Sequence, residues 1–150
     1  GCQLHRVAKG FAAQGGDIVH KSGPLLGEGI LSTLTPQPLE KKYSEYSDQE
    51  LGFRDEHLKG RHMHPGQVAM ANSGPNTNGS QFYITLDAAP WLDSENVIFG
   101  QVLRGMRVLR EIEQMPVDPE DKPLTPLVIL DCGVATPSEV EDLRNFKDPR

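Results

Sequence analysis

Between residues 68 and 86 two short apolar runs flank a stretch, residues 72–81, built only of small or polar side chains and punctuated by Gly74, Pro75 and Gly79. This pattern reads as two buried strands joined by a polar loop. Ser73 and Ser80 have no His or Lys within the segment, so it holds no paired nucleophile and base. Asn and Ser side chains bond to nearby backbone, and Gly accepts positive φ. Such a loop either presents main-chain donors and acceptors to a ligand or is an ordinary long hairpin connection. Upstream, alternation along residues 3–7 sets His5 and Val7 on one face of a strand and Leu4 and Arg6 on the other. An Arg that shares a face with an apolar neighbour is either a surface cation lying along that neighbour or a donor in a site. His57, His62 and His64 are a third group, the last two expected on one face of a strand. No further His or Cys lies close in sequence to complete a ligand set, so a zinc site is a weak reading.

The elements that must position these groups fit one domain. The chain has 150 residues, 37% hydrophobic and 24% charged, enough for one core. A net charge of −6 and a pI near 5.3, with basic residues scattered, argue against nucleic acid or an anionic membrane as the main partner. Cys2 and Cys132 lie far apart with no C-x-x-C spacing, which fits a reducing compartment, although one bridge stays open. No apolar run reaches the roughly 18 residues of a membrane helix, and no signal-peptide pattern opens the chain. Residue 1 is Gly, followed almost at once by strand-like sequence, from which we expect further sequence upstream.

In chain order, residues 3–7 and 11–14 read as strands around a Lys9-Gly10 turn, the second stopping at Gly15-Gly16-Asp17. Residues 18–52 read as an arm broken by Gly and Pro, then a short helix at 39–51 with Leu39, Tyr43 and Tyr46 at i, i+4, i+7. It is a solvated insertion or a docking arm. Residues 88–93 form a turn bearing Trp91, residues 97–99 a strand, and residues 106–114 a helix with Met106, Leu109 and Ile112 on one face. A Pro-rich acidic loop at 116–126 leads to an expected buried strand at 127–130. Ser138 and Glu141 match a capping box opening a short amphipathic helix in the tail, residues 134–150.

These pieces fall in a known order. His5-Arg6-Val7, Gly10-Phe11, Gln14-Gly15-Gly16-Asp17, Phe53-x-Asp55-Glu56, the run from Met70 through Asn72-Ser73-Gly74-Pro75 to Gln81-Phe82, Trp91-Leu92-Asp93, Val97-x-Phe99-Gly100 and Asp131-Cys132-Gly133 resemble the cyclophilin family of peptidyl-prolyl isomerases. The resemblance covers residues 1–133, interrupted by the arm. It implies a mainly β fold, a closed antiparallel β-barrel of eight strands with flanking helices, of which this sequence lacks the first two strands and first helix. A barrel edge left unpaired is costly, so we expect those elements to exist.

The resemblance also implies a chemistry and its residues. Arg6 would donate toward the prolyl nitrogen, Gln14 would hold a substrate carbonyl, and the main chain of Asn72 would bind an extended peptide. Phe11, Tyr83 and Leu92 would line the proline pocket, with Ala71 and Gln81 beside it and Trp91 at its rim, a position that in the family favours cyclosporin binding. No cofactor or metal is expected. Three positions depart from the usual pattern, with Ala12 for Met, Tyr83 for Phe and Asn96 for a rim His. They imply a looser, more polar pocket, a Tyr hydroxyl that needs a partner, and weaker turnover. Two functions follow: an isomerase acting on proline-containing peptides, or a scaffold subunit of a large assembly docked by its arm and tail. Residues 14–19 and 80–86 are similar to cyclophilins of ciliary radial spokes, which supports the second reading; the location expected is cytoplasmic, with the cilium or axoneme as the alternative.

Overall fold

The computed structural model describes residues 1–18 and 52–145. The arm and its expected helix at 39–51 therefore lie outside the described residues apart from the arm's two ends. The rest is mainly β, as expected. Strands β1 (Leu4–Ala8), β2 (Ala12–Gly15), β3 (Gln67–Met70), β4 (Phe82–Thr85) and β5 (Ile98–Gln101) form one antiparallel sheet in the order β1-β2-β4-β3-β5. Hydrogen bonds among the described residues do not close this sheet into a barrel, and β1 and β5 are its outer strands.

Small residues set the middle of the sheet. Ala12 and Ala13 of β2 are buried, and period-two alternation sends them to opposite faces. On one face Ala13 packs with Val7, Leu86 and Leu109. Leu109 belongs to α1 (Met106–Glu113), and Met106 and Ile112 join the same core, as the spacing predicts. On the other face Ala12, Ala69, Ala71 and Tyr83 form a second cluster against which Phe11, Leu92 and Ile98 pack. One face thus belongs to the helix, and the other carries most of the side chains named above.

Helix α1 also fixes the β1–β2 turn. Glu113 accepts the Gly10 N–H at 2.8 Å and a hydrogen bond from Arg110 at 2.9 Å. Burial pushes the Glu113 carboxyl up, but those two bonds, with the charges of Arg110 and Lys9, outweigh it and hold the group below its usual range. The turn that delivers Phe11 is therefore tied to the helix beneath it. At the other end of β2, Gly16 has φ +88°, and a Cβ there would stand 2.5 Å from the Ser80 carbonyl oxygen. Gly16→Ala should combine strained backbone with a clash and destabilise by roughly 2–4 kcal/mol, read as a lower urea midpoint with an unchanged slope.

Two expectations need correction. Residues 127–130 are not a buried strand: among the described residues they make a single bridge, Gln3 to Val128, and Val128 and Leu130 are exposed. Among the described residues its backbone bonds to β1 and the residues just before it, through Leu4 N–H to Leu127 O at 2.9 Å and Ile129 N–H to Cys2 O at 2.8 Å. One face is therefore covered, with Leu127 against the core. The tail helix α2 (Pro137–Asn145) is capped two residues earlier than Ser138 and Glu141 implied. Thr136 Oγ1 accepts the Glu139 N–H at 3.4 Å, and Glu139 accepts the Thr136 N–H at 2.7 Å. Pro137, which lacks an N–H and has a helical φ, suits the first helical position and makes Thr136 the cap. No helix among the described residues is long and apolar enough to cross a membrane.

Candidate active site

Strand register builds a row across the whole sheet. Arg6 of β1 lies opposite Gln14 of β2, Gln14 opposite Tyr83 of β4, Tyr83 opposite Ala69 of β3, and Ala69 opposite Ile98 of β5. Directly opposed residues share a face with side chains about 5 Å apart, so the cation, the amide and the aromatic ring stand side by side. Alternation places Val7 on the helix face and so turns Arg6 the other way.

Arg6 is half-exposed, and its guanidinium carbon lies 5.9 Å from the centre of the Phe11 ring. Phe11 is flanked by Tyr83 and Trp91, with ring centres 6.3 and 5.7 Å away. Trp91 stands on a one-turn 3₁₀ helix, Pro90–Leu92, and is 62% exposed while Leu92 beside it is half-buried. Gln14 donates to Gln81 Oε1 at 2.9 Å, and the buried Gln81 reaches Asp17 at 3.5 Å. Ala71 is buried at the edge of the same cluster.

The loop after β3 is held by its own side chains, as its composition implied. Asn72 donates to Glu95 O at 2.8 Å and accepts the Gly74 N–H at 3.3 Å, while Thr77 Oγ1 accepts the Ser73 N–H and donates to Gly74 O, both at 2.8 Å. Asp55 bridges the far side, accepting the Asn76 N–H at 2.9 Å and an Asn78 amide hydrogen at 2.7 Å. The Asn72 side chain is thus occupied, while among the described residues no hydrogen bond takes up its N–H or carbonyl.

The expected partner of the Tyr83 hydroxyl is His62, 2.8 Å away at Nε2. Asp93 Oδ1 lies 3.2 Å from His62 Nδ1 and also accepts the His62 backbone N–H at 2.7 Å. Asp93 can only accept, so Nδ1 carries the ring proton, Nε2 is the acceptor, and the Tyr83 O–H donates to it. Burial pushes the Tyr83 phenol well above its ordinary range. The His62 backbone bond, more than its ring or Arg61, holds the Asp93 carboxyl below the usual range, against an opposing desolvation effect.

This arrangement corrects several sequence expectations. His62 and His64 precede β3 and lie in no strand. Both ring nitrogens of the fully buried His62 are taken, His57 and His64 are exposed, and no group of three ligand residues able to hold a metal occurs among the described residues. Asn96 is not at a rim: it is buried and donates to Met70 O at 2.9 Å. Sequence reasoning missed His62 as the Tyr83 partner, although the need for one was legible, and missed Asp121, whose Oδ2 lies 3.0 Å from Arg6 Nη2. Nothing in the spacing of residues 115 positions apart announces that contact.

The sheet, its row and the rigid loop define a β-protein of the cyclophilin class. Residues 1–134 match the family described as cyclophilin type peptidyl-prolyl cis-trans isomerase/CLD, and the chain belongs to it. Among its relatives are the rhodopsin-specific isozyme of peptidyl-prolyl cis-trans isomerase from Calliphora vicina, 41% identical over 133 residues, covering 89% of this chain and 49% of that protein. Peptidyl-prolyl cis-trans isomerase CYP22 of Arabidopsis thaliana is 40% identical over 133 residues, covering 88% of this chain and 57% of its own. Peptidyl-prolyl cis-trans isomerase 11 of Caenorhabditis elegans is 39% identical over 132 residues, covering 88% and 62%. The chain thus spans about half to three-fifths of these relatives.

Proposed function

We propose that this chain carries the peptide-binding and catalytic face of a prolyl isomerase that turns X-Pro bonds in exposed, extended segments. The observation that carries this reading is the cross-strand row of Arg6, Gln14 and Tyr83 with Phe11 beneath the guanidinium. Rotation about an X-Pro amide crosses a barrier of about 18–20 kcal/mol that comes from amide resonance, while the two isomers differ by only about 0.5–1 kcal/mol. No covalent step is required. A donor near the prolyl nitrogen favours the twisted amide, in which resonance is lost and the nitrogen lone pair becomes an acceptor. Arg6 supplies that donor, Gln14 and the Asn72 main chain hold the flanking peptide, and Phe11, Tyr83 and Leu92 receive the pyrrolidine ring. The exposure of Trp91 beside Phe11 supports a rim role and, by similarity, cyclosporin binding.

Turnover is expected to be weaker than that of a member with the usual pocket, and Ala12 carries this expectation. Of the other two departures, the Tyr83 hydroxyl is turned to His62 and the Asn96 amide to Met70, so neither makes the ring site more polar. Ala12→Met would cover roughly 40 Å² more of the bound ring, about 1 kcal/mol, and should raise kcat/KM about fivefold with a lower KM. Exchange NMR on a proline-containing peptide tests the function itself: cross-peaks between cis and trans forms should strengthen when the protein is added, and no acceleration at any protein concentration would overturn the reading. The assembly reading rests on sequence resemblance alone, because the arm lies almost wholly outside the described residues.

A further inference from the structure

The geometry points to Asp121 as a positioning residue for Arg6, an inference that rests on the isomerase reading above. A guanidinium on a four-bond stem samples many rotamers, and a half-exposed one has little packing to stop it. Here one end is held: Asp121 Oδ2 accepts from Arg6 Nη2 at 3.0 Å, with the guanidinium carbon 5.9 Å from the Phe11 ring centre, and the remaining N–H groups are left for a bound peptide.

The carboxylate is itself presented by a fixed turn. Asp118 accepts the N–H of Glu120 at 3.0 Å and of Lys122 at 2.8 Å, and the Asp121 N–H closes back on Asp118 O at 3.1 Å. Asp121 adopts φ +65°, a conformation that Asp and Asn tolerate better than other side chains. Its carbonyl accepts the N–H of Val7, the residue next to Arg6, at 2.7 Å. The turn is thus docked by its backbone on β1 at the position where its side chain meets the cation. The acidic loop at 116–126 is in this way a working wall of the site.

Two variants separate position from fold. Asp121→Gly removes the carboxylate and relieves the positive φ, and Asp121→Asn keeps an acceptor of the same shape. Asp121→Gly is expected to lower kcat about fivefold with KM little changed, the scale of one exposed ion pair, and Asp121→Asn to restore at least half of that loss. In an Arg6→Ala background Asp121→Gly should have no further effect. NMR of the Arg6 side-chain N–H groups should show slowed guanidinium rotation in the unmodified protein and faster rotation in Asp121→Gly. The inference is overturned by an unchanged kcat in Asp121→Gly, by equal loss in both backgrounds, or by guanidinium rotation that does not respond. If Arg6→Ala itself leaves turnover intact, the isomerase reading falls first and this one with it; if Arg6→Ala loses turnover and Asp121→Gly does not, only this one falls.

Discussion

Arg6→Ala is expected to lower kcat/KM on an X-Pro peptide by about 10²–10³-fold, the cost of removing one donor aimed at charge that develops in a transition state. KM should change little, because in the proposed site the ring and the flanking peptide are held by Phe11, Leu92 and the Asn72 main chain rather than by Arg6. Stability should change by no more than about 1 kcal/mol, since the side chain is half-exposed and its ion pair with Asp121 is a surface one. Arg6→Lys keeps the charge but places a single point donor on a flexible stem, and should recover only a small part of the rate. Single-turnover exchange measurements with urea unfolding of the same variants separate these effects. A variant that keeps its rate would mean that the row does not act on the prolyl nitrogen.

The second large effect is on stability and lies behind the row. His62→Ala should destabilise the fold by about 3–5 kcal/mol, because it opens a cavity where a fully buried ring stood and leaves the Tyr83 hydroxyl without its acceptor. Tyr83→Phe removes only the hydroxyl and leaves His62 Nε2 unpaired, which should cost about 1–3 kcal/mol. Replacing both by apolar residues of similar size should cost less than the sum, since no polar atom is then orphaned. The phenol also predicts an alkaline limit. Its folded pKa is raised by burial, so the protonated form is the one the fold stabilises; that contribution is complete below the unfolded value of about 10 and is lost as pH rises beyond it. Tyr83→Phe should flatten that part of the stability profile, as read from urea midpoints at stepped pH.

How far the chain could be read follows from which forces are local. Alternation placed Arg6 opposite in sense to Val7, and helical spacing placed Met106, Leu109 and Ile112 on the core, because period alone decides those faces. The polar composition of residues 72–81 foretold a loop tied by its own side chains, since Asn, Ser and Thr bond within a few positions. The contacts made at a distance were not legible. The Tyr83 hydroxyl announces a need but not its answer, and His62 reads from sequence as a weak metal ligand instead. Asp121 reaches Arg6 only because a docked turn carries it there. In the tail, Ser138 matched the cap pattern as well as Thr136 did, and Pro137 was the cue that separated them.

The row described above draws one residue from each of five strands, so it exists only while all four pairings hold step. A slide of any pair by a single position would send that strand's contribution through the sheet to the helix side. If the proposed function holds, turnover is a gauge of alignment: a shift along the outer strand should be felt as lost rate. It follows that no excised hairpin, however well folded, would carry this chemistry with it.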